Sequence, residues 1–180
     1  MFESHVTVED FSEEGFRAKC KEIGVKPVVI YQDSGGRPVQ MMTQEFFKST
    51  DRDAAVARLH EIADQFGTNC KRRKLEEIVG GRAKSLPPHD YLEFHLKYSP
   101  VAPLTFSAHV LQLGGKTSMN ANGNCYATAN DRATYEKLKS GLIGHNFISE
   151  AFECIVFDSN PSYDFVHHCD CGLKVVPIYE

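Results

Sequence analysis

A chain of 180 residues, 42% hydrophobic and 24% charged, has the composition of a folded globular protein rather than a disordered one. Its net charge of -4 gives no general attraction to nucleic acid or to an anionic membrane, since both need a local basic excess. Met1-Phe2-Glu3-Ser4-His5 lacks the basic region and apolar run of a secretory signal, and no apolar stretch has bilayer-spanning length, so the sequence predicts a cytoplasmic protein without a membrane partner.

The first strand is expected over residues 3–8, where polar and apolar residues alternate. Ser12 then caps a helix whose stripe of Phe16, Cys20 and Ile23 ends at Gly24. Pro27-Val28-Val29-Ile30-Tyr31 and residues 38–48 read as a hairpin about the turn Asp33-Ser34-Gly35-Gly36. Ser49-Thr50-Asp51 opens a second helix with Ala55, Val56, Leu59, Ile62, Ala63 and Phe66 at helical spacing, closed by Gly67, and residues 69–79 form a fourth strand. Within that strand, Lys71-Arg72-Arg73-Lys74 is the one basic cluster, read as a solvated edge because Glu76 and Glu77 adjoin it.

Residues 80–89, with glycines at one end and prolines at the other, read as a linker. The same plan then recurs: a strand over 91–98, a helix over 103–113, strands over 116–121 and 124–129 about Asn122-Gly123, a helix over 131–147 and a strand over 150–158. Thr50-Asp51-Arg52 and Asn130-Asp131-Arg132 open corresponding helices, and Leu75-Glu76-Glu77-Ile78-Val79 parallels Phe152-Glu153-Cys154-Ile155-Val156. The expected fold is α+β: two ferredoxin-like βαββαβ modules with antiparallel sheets, at 1–79 and 90–158, produced by internal duplication. A tail over 159–180 carries His167-His168-Cys169-Asp170-Cys171, whose spacing does not match a structural zinc site. The six cysteines show no disulfide rhythm and are expected reduced.

In a strand, residues two apart share a face. Glu3, His5 and Thr7 therefore point one way and Ser4, Val6 and Val8 the other; Glu93, His95 and Lys97 are divided in the same manner from Phe94, Leu96 and Tyr98. With helices covering the apolar faces, the two Glu-x-His sets lie on helix-free faces. They meet in a polar cleft if those faces pack together, or remain solvated if they do not. His5 and His95 are the catalytic candidates, with Glu3, Thr7, Lys74, Glu76, Glu93 and Lys97 as ligand-binding candidates. No cofactor and no metal ligand is assigned from the sequence.

His5-Val6-Thr7 resembles the His-x-Thr motif of the 2H phosphoesterases, whereas His95-Leu96-Lys97 has Lys97 where that motif has Ser or Thr. The resemblance implies paired-histidine acid–base chemistry on a small anionic, phosphate-bearing ligand. Two alternatives are a protein-interaction module without catalysis and a divalent-metal site of the vicinal-oxygen-chelate type, whose modules lack the helix expected here between the third and fourth strands. Across residues 2–164, Tyr91-Leu92-Glu93-Phe94-His95-Leu96-Lys97 and Val156-Phe157-Asp158-Ser159-Asn160 resemble motifs of a microbial family, Tyr-Phe-Glu-x-His-x-Lys and Val-Tyr-Asp-Ser-Asn, to which no activity is attached.

Overall fold

The computed structural model describes residues 1–31, 38–48, 51–79, 89–120 and 122–161. The turn expected at 33–36, nearly all of the linker and the His/Cys run of the tail lie outside them. Twelve elements carry the fold: β1 (Phe2–Val8), α1 (Glu13–Ile23), β2 (Lys26–Tyr31), β3 (Pro38–Phe47), α2 (Arg52–Asp64), β4 (Cys70–Val79), β5 (Tyr91–Tyr98), α3 (Pro103–Gln112), β6 (Lys116–Asn120), β7 (Cys125–Ala129), α4 (Arg132–Gly141) and β8 (Phe147–Asp158).

The strands form one closed antiparallel barrel in the order β1-β3-β2-β6-β7-β5-β8-β4. This overturns the expectation of two ferredoxin-like modules with separate open sheets, and with it the duplication as a description of the architecture. Two seams close the ring. At one, β4 pairs with β8 from Lys74↔Asp158 to Val79↔Phe152; at the other, among the described residues, β2 pairs with β6 at Ile30↔Asn120 and Tyr31↔Met119. Closure satisfies backbone donors and acceptors that two open sheets would leave at their edges.

The helices lie outside the barrel. Val6, Val8 and Leu75 pack with Phe16 and Cys20 of α1 and Leu59 and Ile62 of α2 in one core; Leu96 and Ala127 pack with Phe106 and Val110 of α3 and Leu138 of α4 in another. Alternation therefore has a consequence in a closed sheet that it lacks in an open one. The apolar residues meet helices, and the polar residues are turned into a shared interior.

Local chemistry sets most boundaries as expected. Ser12 accepts from the Gly15 amide, Asp51 from Ala54 and Asp131 from Thr134, and Gly24 ends α1 at φ 76°. The fourth helix is shorter than its periodicity suggests. It stops at Gly141, Gly144 takes φ 105°, and β8 starts at Phe147, so that β5 is paired along its whole length. The basic run of β4 is not a solvated edge: Arg72 and Lys74 are only 3% and 7% exposed, because alternation along Arg72, Lys74 and Glu76 turns these side chains to the interior.

Candidate functional site

The interior gathers Glu3 and His5 from β1, Lys74 and Glu76 from β4, Glu93 and His95 from β5, and Glu153 from β8 around a cavity of ≈ 490 Å³. These four strands are consecutive in the barrel. Register brings them level: Glu3 is opposite Glu76, His5 opposite Lys74, and Glu93 opposite Glu153.

Each histidine is held in a similar manner. The Nδ1–H of His5 donates to the Thr43 carbonyl at 2.9 Å, leaving Nε2 3.3 Å from Glu3 Oε1 and 3.4 Å from Glu76 Oε2. Nδ1 of His95 is 2.8 Å from the Thr128 hydroxyl, and its Nε2 is 3.3 Å from Glu93 Oε2 and 2.9 Å from Glu153 Oε2. Lys74 joins the two groups, its Nζ lying 2.6 Å from Glu76 Oε1 and 2.6 Å from Glu93 Oε2. The ligand-type atoms of Glu3, His5 and Glu76 all lie within 4.8 Å of one another, as do those of Glu93, His95 and Glu153.

Burial alone would push the His5 imidazolium towards neutrality, but the charge of Glu76 and hydrogen bonds with Glu3 and Glu76 lift its pKa to about 10. His95 is likewise held well above its ordinary value, against burial, by Glu153 and Glu93. Burial opposes ionisation of Glu93, yet Lys74 and His95 hold it down at about 2; Lys74 and His5 keep Glu76 low in the same way. Glu153 goes the other way, to about 7, because it is buried and hydrogen-bonded beside the charge of Glu76. One group remains uncompensated: Glu93 Oε1 is buried without a hydrogen-bond partner.

A second ionic group lies beside the β4–β8 seam. Arg72 makes a two-pronged contact with Asp158, Nε to Oδ1 at 2.9 Å and Nη2 to Oδ2 at 2.5 Å, and Nη2 also donates to the Tyr91 hydroxyl at 2.9 Å. Tyr91 in turn donates to Asp158. Asp158 also accepts from the Asn160 amide at 2.9 Å, so it ends the strand and pairs a buried guanidinium at once.

Of the residues singled out in the sequence, Glu3, His5, Lys74, Glu76, Glu93 and His95 come together. Thr7 is inside the barrel but apart from the histidine groups, with Gln40 Nε2 3.5 Å from its hydroxyl. Lys97 sits with its ammonium 5.8 Å from the centre of the Tyr126 ring and does not line the cavity. The sequence reading missed Glu153 as a site residue. Its signal was present in the match between Phe152-Glu153-Cys154 and Leu75-Glu76-Glu77, which puts Glu153 in the place of Glu76.

No family model matches the chain, and no curated protein matches it. Among solved structures it is similar to a microcompartment protein from Desulfitobacterium hafniense, at 10% identity over 87% of this chain and 95% of that one, with a TM-score of 0.32. A likeness of that size carries no argument about fold or function. No helix among the described residues is long and apolar enough to cross a membrane.

Chemically, the cluster can do two things. As it stands, it is a proton-rich network in which imidazolium and ammonium groups are matched by carboxylates. The same atoms form two sets of one imidazole nitrogen and two carboxylate oxygens, each a suitable donor set for a first-row divalent cation.

Proposed function

We propose that the barrel interior is a divalent-metal centre, with Glu3, His5 and Glu76 as one ligand set and Glu93, His95 and Glu153 as the other. The observation that carries this reading is the orientation of the two imidazoles. In each, Nδ1 is anchored on an oxygen and Nε2 is directed between two carboxylates, which is how metal-ligating histidines are fixed by their outer partners. The unpartnered buried oxygen of Glu93 supports it independently, since a buried carboxylate oxygen without a donor is costly and a cation would satisfy it.

Mixed imidazole and carboxylate donors suit manganese, iron or zinc in the divalent state, and three protein ligands per ion leave coordination positions for water or a substrate. The four glutamates gathered around Lys74 favour a cation over the phosphate-bearing ligand of a two-histidine phosphoesterase.

The test is calorimetric titration of chelator-treated protein with Mn²⁺, Fe²⁺ under nitrogen, and Zn²⁺, alongside thermal melting. Saturable binding of one of these ions with a raised Tm is expected, and Glu93→Gln should weaken it about tenfold or more, a loss of about 1.4 kcal/mol. If none of the three binds saturably and none moves the Tm, the reading is overturned and the cluster is an ion-pair network alone.

A further inference from the structure

The barrel wall opposite the glutamates is built differently: it supplies none of the six proposed ligands, and reaches them only through Thr43 and Thr128, which anchor the two histidines. Strands β3, β2, β6 and β7 are consecutive in the ring. On β2, Val29 packs into the core under the helices, so alternation turns Val28 and Ile30 inward, and both line the cavity. On β3, Met41 belongs to that core and Met42 lines the cavity directly across the ladder from Val28. Uncharged polar groups are interleaved with them: Gln40, and the pair Asn120 and Tyr126, linked by an Asn120 Nδ2 to Tyr126 hydroxyl contact of 3.3 Å. Two lysines of this wall also line the cavity, Lys26, which is exposed and donates to Gln44 at 2.5 Å, and Lys116, which is half-buried and has a partner of its own; Arg17 of α1 is paired with Glu13 at 2.7 Å.

We infer that the stretch of this wall around Val28, Ile30 and Met42 is a binding site for a small uncharged organic molecule, one with an apolar frame of about ring size and an amide or hydroxyl substituent. The cavity volume of ≈ 490 Å³ falls in the range of about 300–1,000 Å³ that small-molecule sites occupy, far above what an ion and a few waters need. Val28, Ile30 and Met42 supply an apolar surface for the frame, while side-chain amides and a phenol supply both donors and acceptors for the substituent. Charge on the ligand would work against it. An anion would face the glutamates across the cavity, and a cation would leave this wall for them.

A series with one frame and three charges decides the matter: benzamide, benzoate and benzylammonium, titrated into metal-free wild-type protein labelled with ¹³C at the methionine methyls. The chain has 4 methionines. Met42 faces the cavity, whereas Met41 is buried on the helix side and serves as an internal control. Benzamide is expected to shift the Met42 methyl saturably in the millimolar range while Met41 stays in place, with benzoate and benzylammonium about tenfold weaker at Met42. Val28→Phe, which fills the space across from Met42, should abolish the shift.

A Met42 signal that does not respond to benzamide overturns the inference. So does an equal or larger Met42 response to either charged probe, an equal movement of Met41, or a folded Val28→Phe protein that binds as wild type does. The wild-type series decides without that variant if it fails to fold. Because the titration contains no metal, its failure leaves the metal reading standing, and a failed metal titration leaves this one standing.

Discussion

The two halves of the barrel wall differ in what they bury. The wall made of β5, β8, β4 and β1 carries the glutamates, both histidines, Lys74, Arg72 and Asp158, and is sewn at its centre by the long β4–β8 ladder. The wall made of β3, β2, β6 and β7 carries mainly apolar and uncharged polar groups, with Lys26 and Lys116 as its only cavity-lining charges among the described residues. Charge is buried most deeply in this protein where each ion can be given a charged partner.

The strongest way to break this contrast is to remove one ion from the charged wall. Asp158→Ala strands the Arg72 guanidinium beside Tyr91, and the expected loss is about 3–5 kcal/mol in a urea unfolding experiment. Lys74→Met should cost less, about 3 kcal/mol, because glutamates left without their ammonium can take up protons, as Glu153 at about 7 is already placed to do. Added divalent cation should restore more stability to this variant than to wild type, read as the difference in Tm gained.

A pH series sharpens the same point without mutation. His5 holds its proton up to about 10 in the fold against 6.5 in the ordinary side chain, so the folded state binds more protons between those values. The stability it contributes is complete below pH 6.5 and is lost as the pH rises towards 10. Metal-free protein should therefore unfold at progressively lower urea across that window, and His5→Gln should flatten the slope. The smallest effect belongs to the opposite wall: Tyr126→Phe removes one hydrogen bond to Asn120 and should cost about 0.5–1 kcal/mol in the same assay.

Much of this was legible residue by residue. Alternation in Glu3-Ser4-His5-Val6-Thr7 and Glu93-Phe94-His95-Leu96 gave the faces correctly, and caps at Ser12, Asp51 and Asp131 gave the helix starts. What alternation cannot carry is the identity of a strand's neighbour. Lys74 opposite Asp158 and Ile30 opposite Asn120 are partners across 84 and 90 positions, and nothing local distinguishes a paired edge from a free one. For the same reason Arg72 and Lys74 read as solvent-facing: without the closed ring they have nowhere to be buried. Glu153 was missed because its partners, His95 and Glu76, arrive from β5 and β4.

The β4–β8 ladder also has a consequence for how the protein is made. The charged wall depends on the strand synthesised last among those described, so while a ribosome is still short of β8, Arg72 lacks Asp158 and His95 lacks Glu153. The first half can pack its helices against its sheet at that stage, but the acidic interior stays open to water. Closure is thus a late, long-range event of the kind that slows folding. Nascent chains arrested before Phe147 should be cut by protease within β4, and chains released after Asp158 should be protected there.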